Sequence, residues 1–272
     1  MKTKNKDNRS ARHALATLAV LAVVSTAAVA GMLAYGKLHD LWVEQSVITD
    51  VNRQVQVRSG SSISTDTVRE MFGLRNGTNL ALTDFAAKRE AALKKFPVIK
   101  SIGISRRLPD GVSISVVERD PLARIGVSGV RKESGRVCDD EGVVFTCRRG
   151  AEMLPLIREP EEPGTKPGEA LKDRARSALT VLLVAREPQF ADLNILEIDT
   201  AKPDFLEITL TNYSSIKFRW TGMDSFTPES DAALREQLTK VSQAIGNNLS
   251  GEVKVWNATV QGVVTSITNR PN

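Results

Sequence analysis

The chain has 272 residues, with 37 Lys plus Arg against 32 Asp plus Glu, two His and two Cys, which is room for one large domain or two small ones. Hydrophobic residues at 41% and charged residues at 25% exclude a disordered tail, and aromatics at 5% leave aliphatic side chains to build the core. The net charge of +5 is no nucleic-acid footprint, because Lys2, Lys4, Lys6, Arg9 and Arg12 against Asp7 place nearly all of it at the N-terminus.

Both histidines, His13 and His39, flank the first apolar segment, so residues 40–272 hold none. No Ser-His-Asp or Cys-His pair, imidazole zinc site or His general base can be assembled there. No spacing singles out a carboxylate pair or a Ser-Lys dyad, and Cys138 with Cys147 has no further soft ligand for a metal. The expectation is a protein that is not an enzyme, with no cofactor, no metal, no nucleic acid and no small-molecule substrate.

From Ala14 to Tyr35 run 22 residues without a charge. As a helix they span ~33 Å, enough to cross a bilayer. Five cations before this run, against Lys37, Asp40 and Glu44 after it, predict a cytoplasmic N-terminus. The reading is a cytoplasmic tail (1–13), a transmembrane helix (14–35) and a juxtamembrane linker (36–46), with Trp42 near the outer interface. Two alternatives stay open. Ala28-Val29-Ala30 fits a signal-peptide cleavage pattern, although Met32 to Tyr35 continue the apolar run beyond it. An Ala-rich helix buried in a cytoplasmic protein is the other.

Val51, Val55 and Val57 then alternate with polar residues as a half-buried strand does. Thr65 or Asp66 can cap a short helix through Phe72, and Thr83 or Asp84 a second that carries Phe85, Leu93 and Phe96 and stops at Pro97. Gly73–Gly77 reads as a turn, since a phosphate cradle would follow a strand and this segment follows a helix. Ile102 and Ile104 alternate up to Arg106, Leu108-Pro109-Asp110-Gly111 turns the chain, and Val112, Ile114 and Val116 alternate back. The order is βααββ. Further on, Glu159–Gly168 is a Pro- and Gly-rich loop. Leu171, Ala175, Ala178, Leu179, Leu182 and Leu183 share a helical face, as do Leu234, Leu238, Val241 and Ile245. Ile195–Ile198, Leu206–Leu210, Ile216–Trp220, Val253–Trp256 and Val260–Ile267 read as strands.

Cys138 and Cys147 flank an acidic turn. With the turn at residues 140–142, Cys138 faces Val144 and Cys147 lies past it, so a disulfide needs an irregular loop, and two buried thiols are the alternative. The last strand, Val260 to Ile267, is the sharpest binding candidate. A terminal strand often ends a sheet, where Val260, Val263, Val264, Thr265, Ser266 and Ile267 would offer unpaired backbone groups to an extended partner. The rival reading packs Val263 and Ile267 on the domain's own core.

The runs Pro97-Val98-Ile99-Lys100, Pro109-Asp110 and Val117-Glu118-Arg119-Asp120-Pro121-Leu122-Ala123-Arg124 resemble a POTRA domain of the bacterial FtsQ/DivIB cell-division family. Asp139-Asp140-Glu141-Gly142-Val143-Val144-Phe145 and Leu154-Pro155-Leu156 are similar to the opening of that family's second domain. The resemblance implies an α+β chain: one transmembrane helix, a POTRA domain (47–124), a β-rich domain of a sheet with two helices (125–268) and a short tail (269–272). It also implies a single-pass inner-membrane scaffold at the division septum that holds small bitopic FtsB/FtsL-like partners through the end of the β-domain. The bulk would lie outside the cytoplasm, linking other divisome components to septal peptidoglycan synthesis. Where the family reads hydrophobic-Asp-Leu-Arg, this chain has Trp256-Asn257-Ala258-Thr259. An upstream component would meet the second POTRA strand, by residue match at Ser101, Ile104 and Arg106. The alternative is an accessory of protein transport or outer-membrane assembly, since POTRA units also precede barrels. A barrel needs many alternating strands where residues 125–272 show two helical patterns.

Overall fold

In a computed structural model of the chain, residues 7–108, 110–130, 135–147, 150–160, 164–248 and 253–267 are described, with side chains from Leu21 to Ser266. The start of the expected cytoplasmic tail, Pro109 of the expected turn, part of the Glu159–Gly168 loop and the expected tail at 269–272 lie outside the described residues.

Helix α1 (Asp7–Gln45) has no break after Tyr35: residues 36–45, expected as a linker, continue it. Its stretch Leu21–Gln45 is long and apolar enough to cross a membrane, and the rest of the chain buries none of it. An apolar helix left uncovered by its own chain finds its solvent in a bilayer, so α1 fits a single-pass membrane protein.

The chain forms two compact units, one made of everything up to Glu90 with Ile102–Val116, the other of Ala91–Ser101 with everything from Val117 onward. In the first, the end of α1 is capped by the fold itself. Asn79 donates its side-chain amide to the Val43 carbonyl (2.9 Å), Leu80 N–H donates to Ser46 O (2.8 Å), and Ser46 Oγ donates to Trp42 O (2.6 Å). These satisfy carbonyls that a helix end leaves without partners. A one-turn helix α2 (Val51–Gln54) follows, so Val51 is helical and not the start of a strand. The cause is Gln54, whose buried amide oxygen accepts from Thr49 N–H (2.8 Å) and Asp50 N–H (2.7 Å) and winds the chain into a turn before β1 (Val55–Arg58).

Helix α3 (Thr65–Phe72) buries Val68 and Phe72, four residues apart on one face. Ser64, one residue before the expected cap, accepts from Thr67 N–H, an interaction of about 1 kcal/mol. Gly73 ends the helix at φ +63°, where a Cβ would be strained. Helix α4 (Phe85–Lys95) starts on Asp84, which accepts from Ala87 N–H (3.0 Å). Strands β2 (Ile99–Arg107) and β3 (Gly111–Glu118) complete a three-stranded sheet of order β1-β3-β2, with β1 parallel to β3. The βααββ order is borne out. Ile48, Val68, Phe72, Val112 and Ile114 are fully buried at its centre.

The second unit is built on β4 (Ala123–Val127), β5 (Arg136–Cys138), β6 (Val144–Thr146), β7 (Leu156–Glu159), β8 (Ile195–Asp199), β9 (Leu206–Leu210), β10 (Ser215–Phe218), β11 (Val255–Val260) and β12 (Val263–Ile267). Their order is β12-β11-β10-β9-β8-β7-β4-β5-β6. Helices α5 (Asp173–Ala185) and α6 (Pro228–Gly246) share one core with the strands, Leu179, Leu182, Leu234, Leu238 and Val241 lying among Ile157, Ile198, Ile208, Ile216 and Trp256. The opposite side of the sheet is polar: Lys217 stands between Glu207 and Asn257 in register, and Arg158 pairs with Glu197 at 2.6 Å. The expected β-rich domain with two helices is therefore observed. The last expected strand is instead the end of one strand and the whole of another: Val260 closes β11, Gln261–Gly262 turn, and β12 begins at Val263. Gly262, at φ +74°, permits that turn.

Also within this unit, the two motif runs of the sequence meet. Arg119 donates to Asp139 (2.5 Å), which is 1% exposed, and to Glu141 (3.1 Å), while Lys100 reaches Asp140 (3.3 Å) and Glu141 (3.2 Å). Arg119 Nε also donates to the Pro97 carbonyl (3.2 Å). Asp139 turns its other oxygen to Val143 N–H (2.8 Å) and so shapes the β5–β6 turn. Hydrogen bonds from Arg119 and then Lys100 hold Glu141 below the usual glutamate range. Burial opposes the charge on Arg119, but Asp139 and Glu141 outweigh it and hold the guanidinium above its ordinary value.

Candidate partner-binding edges

An open sheet has two ends, and each end strand carries a row of backbone groups that no neighbouring strand satisfies. At the β6 end the 168–170 segment takes those of Val144 and bridges Val143. Gly168 N–H donates to Val144 O (2.7 Å), Val144 N–H donates to Glu169 O (2.8 Å), and Val143 bridges Ala170. At the other end lies β12, whose one strand partner among the described residues is β11. The expectation that the terminal strand lies at a sheet edge is met.

The β11–β12 hairpin is clamped to α6 by one side chain. Gln237 is fully buried; its amide nitrogen donates to Ala258 O (3.0 Å) and Val260 O (3.1 Å), and its oxygen accepts from Gly262 N–H (2.6 Å). Gln261 adds a bond from its side-chain amide to Ala233 O (3.0 Å). A hairpin at a sheet end is marginal by itself, so this clamp gives the edge a fixed position. Sequence reasoning passed over Gln237. Its signal was a polar residue inside the apolar stripe of Leu234, Leu238 and Val241, where only a partnered side chain is tolerated.

Side chains along β12 alternate. Val264 is half-buried and packs against the core, whereas Val263 is 48% exposed and Thr265 and Ser266 are exposed. Core packing thus falls on Val264 and not on Val263, and the side chain of Ile267 lies outside the described residues. Val260, on the preceding strand, is 62% exposed beside Val263 in register. The edge therefore presents Val260, Val263 and Thr265 as side chains, and β12 as backbone.

In the smaller sheet β2 is also an end strand. Ser101 is exposed; Ile104 is half-buried, in alternation with buried Ile102; and Arg106 is exposed. Two-residue periodicity puts Ile104 and Arg106 on one face and Ser101 on the other, so the three do not form a single side-chain patch. The Arg106 guanidinium lies over the rings of Trp42 (6.0 Å) and Phe85 (5.4 Å), a cation–π arrangement.

No disulfide joins Cys138 and Cys147. Cys138 faces Val144 in register, as the turn predicts, and burial, followed by the charge of Asp139, pushes its thiol up to about 12. Such a thiol is chemically quiet. Cys147 is only half-buried.

Residues 52–119 match the model of the POTRA domain, FtsQ-type. Two curated proteins are similar over 80 residues at 34% identity: the cell division protein FtsQ of Neisseria meningitidis serogroup B, and that of Neisseria gonorrhoeae. The matched segment is 29% of this chain and 31% and 30% of those proteins, so the chain aligns with about a third of their length.

Proposed function

We propose that this chain, a member of the FtsQ/DivIB family by its FtsQ-type POTRA domain, is a single-pass inner-membrane scaffold of the bacterial division machinery. Its N-terminus lies in the cytoplasm and its two folded units lie outside, an orientation that the charge step around α1 supports. It works by binding. The end of the second unit at β12 takes up an extended segment of small bitopic FtsB/FtsL-like partners, backbone bonds supplying affinity while Val260, Val263 and Thr265 fix register. Strand β2 of the POTRA, an end strand, faces an upstream component with Ser101 on one face and Ile104 on the other, and the assembly is held near septal peptidoglycan synthesis.

The observation that carries this reading is the contrast between the sheet's ends, one covered at Val144 of β6 and the other, among the described residues, paired only with β11 at β12 and clamped by Gln237. The test is photo-crosslinking in intact cells from probes at Val263 and Thr265, with Thr146 on β6 as the comparison. Adducts to small single-span proteins from the first two and none from Thr146 are the expected result. Adducts to outer-membrane barrel components would favour the transport reading, and silence at Val263 and Thr265 would remove β12 from the mechanism.

A further inference from the structure

Chain direction in the first unit places three loops around the point where α1 ends. The chain leaves α1 at Gln45 and enters β1 at Val55, so β1 starts beside the helix end and runs away from it. Strand β3 is parallel to β1, Val55 standing opposite Val112, so β3 starts at the same end and the β2–β3 turn lies there too. Contacts agree. Arg106 sits over Trp42, and Gln54, which binds the Thr49 and Asp50 amides, also donates to Asp110 in that turn (2.5 Å). The third loop is tied to the same place: Asn79, whose amide caps Val43, accepts from Leu82 N–H at 3.3 Å.

Outside α1, the large apolar side chains left exposed on this unit, among the described residues, are Leu82 at 72% and Leu108 at 71%. Both belong to these loops, and beside Leu108 stand exposed Arg106 and Arg107. Trp42 lies seven residues beyond Tyr35, ~10 Å along the axis, and helix side chains lean toward the N-terminus, back toward the apolar span. That is headgroup depth, where indole rings and snorkelling arginines are favoured. Tyr35, His39 and Trp42 line one side of the helix on the way out, with ring centroids 6.4 and 6.2 Å apart.

We infer that this end of the POTRA unit is seated in the phospholipid headgroup layer of the membrane that α1 crosses, with Leu82 and Leu108 in the interface and Arg106 and Arg107 at lipid phosphates. The inference rests on α1 being a membrane span. The occupant follows from continuity, since the loops surround a helix that emerges through that layer, and from the pairing of isolated exposed leucines with arginines. Because α1 passes into the unit through capped carbonyls and not through a flexible linker, the seat fixes the height of β2 above the bilayer.

The test uses the full chain reconstituted in nanodiscs of phosphatidylcholine and phosphatidylglycerol, with a photo-crosslinking residue at Leu33, Leu82, Leu108 or Ser61 in turn and lipid adducts read by mass spectrometry. Ser61 is exposed beyond the far end of β1. Leu82 and Leu108 should give at least about fivefold more lipid adduct than Ser61, the contrast expected between the interface and water. Adducts at Leu33 with Leu82 and Leu108 no higher than Ser61 would overturn the inference and leave the span intact. No adduct at Leu33 would remove the span and the inference together.

Discussion

At β6 the large sheet ends under the 168–170 segment, which takes both backbone groups of Val144; at β12 it ends on a strand held from behind by Gln237, with exposed Val263 and Thr265. Both are short strands at the limit of one sheet, and left bare either would invite pairing with a stray chain. On the proposed reading, covering one and bracing the other makes association directional. Rigidity is the second half of the comparison, because a braced strand loses little further freedom when a partner segment adds to it.

The largest expected effect breaks the covered side. Arg119→Ala would leave Asp139 as a buried carboxylate without its cation and should cost about 3 kcal/mol, read as a lower denaturant midpoint of the detergent-solubilised chain. If Arg119→Ala and wild type unfold together, the ion cluster does not organise the β5–β6 turn. On the braced side, Gln237→Leu would strand the Gly262 amide and take a donor from the Val260 carbonyl, while Ala258 O keeps the Arg219 N–H (3.1 Å), at about 2 kcal/mol. Hydrogen exchange should quicken along β11 and β12 well before it does in α5, and uniform protection would show that the clamp is dispensable.

Gly168→Pro tests whether the cover is needed. The residue has φ +93° and gives its N–H to Val144, and proline can do neither, a change of about 1–3 kcal/mol that should expose β6. Concentration-dependent self-association in analytical ultracentrifugation is expected of this variant and not of wild type. The smallest effect is that of pH. Glu141 is held below its ordinary value of 4.5, so the stability it contributes is fully present above that pH and is lost as pH falls through the lowered value. Glu141→Gln should flatten the acid limb of a stability-versus-pH curve in that window; an unchanged limb would assign it to other carboxylates.

Much of this was legible along the chain. The uncharged run from Ala14 to Tyr35, the alternation of Val112, Ile114 and Val116, and the stripes of Leu234, Leu238 and Val241 each report local periodicity, and each became the expected element. Boundaries failed where one side chain redirected the backbone. Gln54 wound Val51 into a turn, and Gly262 split the last run at Val260. Val264, one of the six residues that the pattern places at the edge, packs inward, so an aspartate there would damage the core; Val263 and Thr265 are the cleaner positions.

Sequence alone determined the order of elements, the apolar span and the placing of a strand at the end of the chain, because periodicity, capping and turn chemistry act over a few residues. Tertiary structure decided which sheet end is covered, that Gln237 braces the other, and that Pro97, Arg119 and Asp139 belong to one cluster. These rest on pairings tens of residues apart in the chain, and no local pattern encodes which distant backbone group a buried side chain will satisfy.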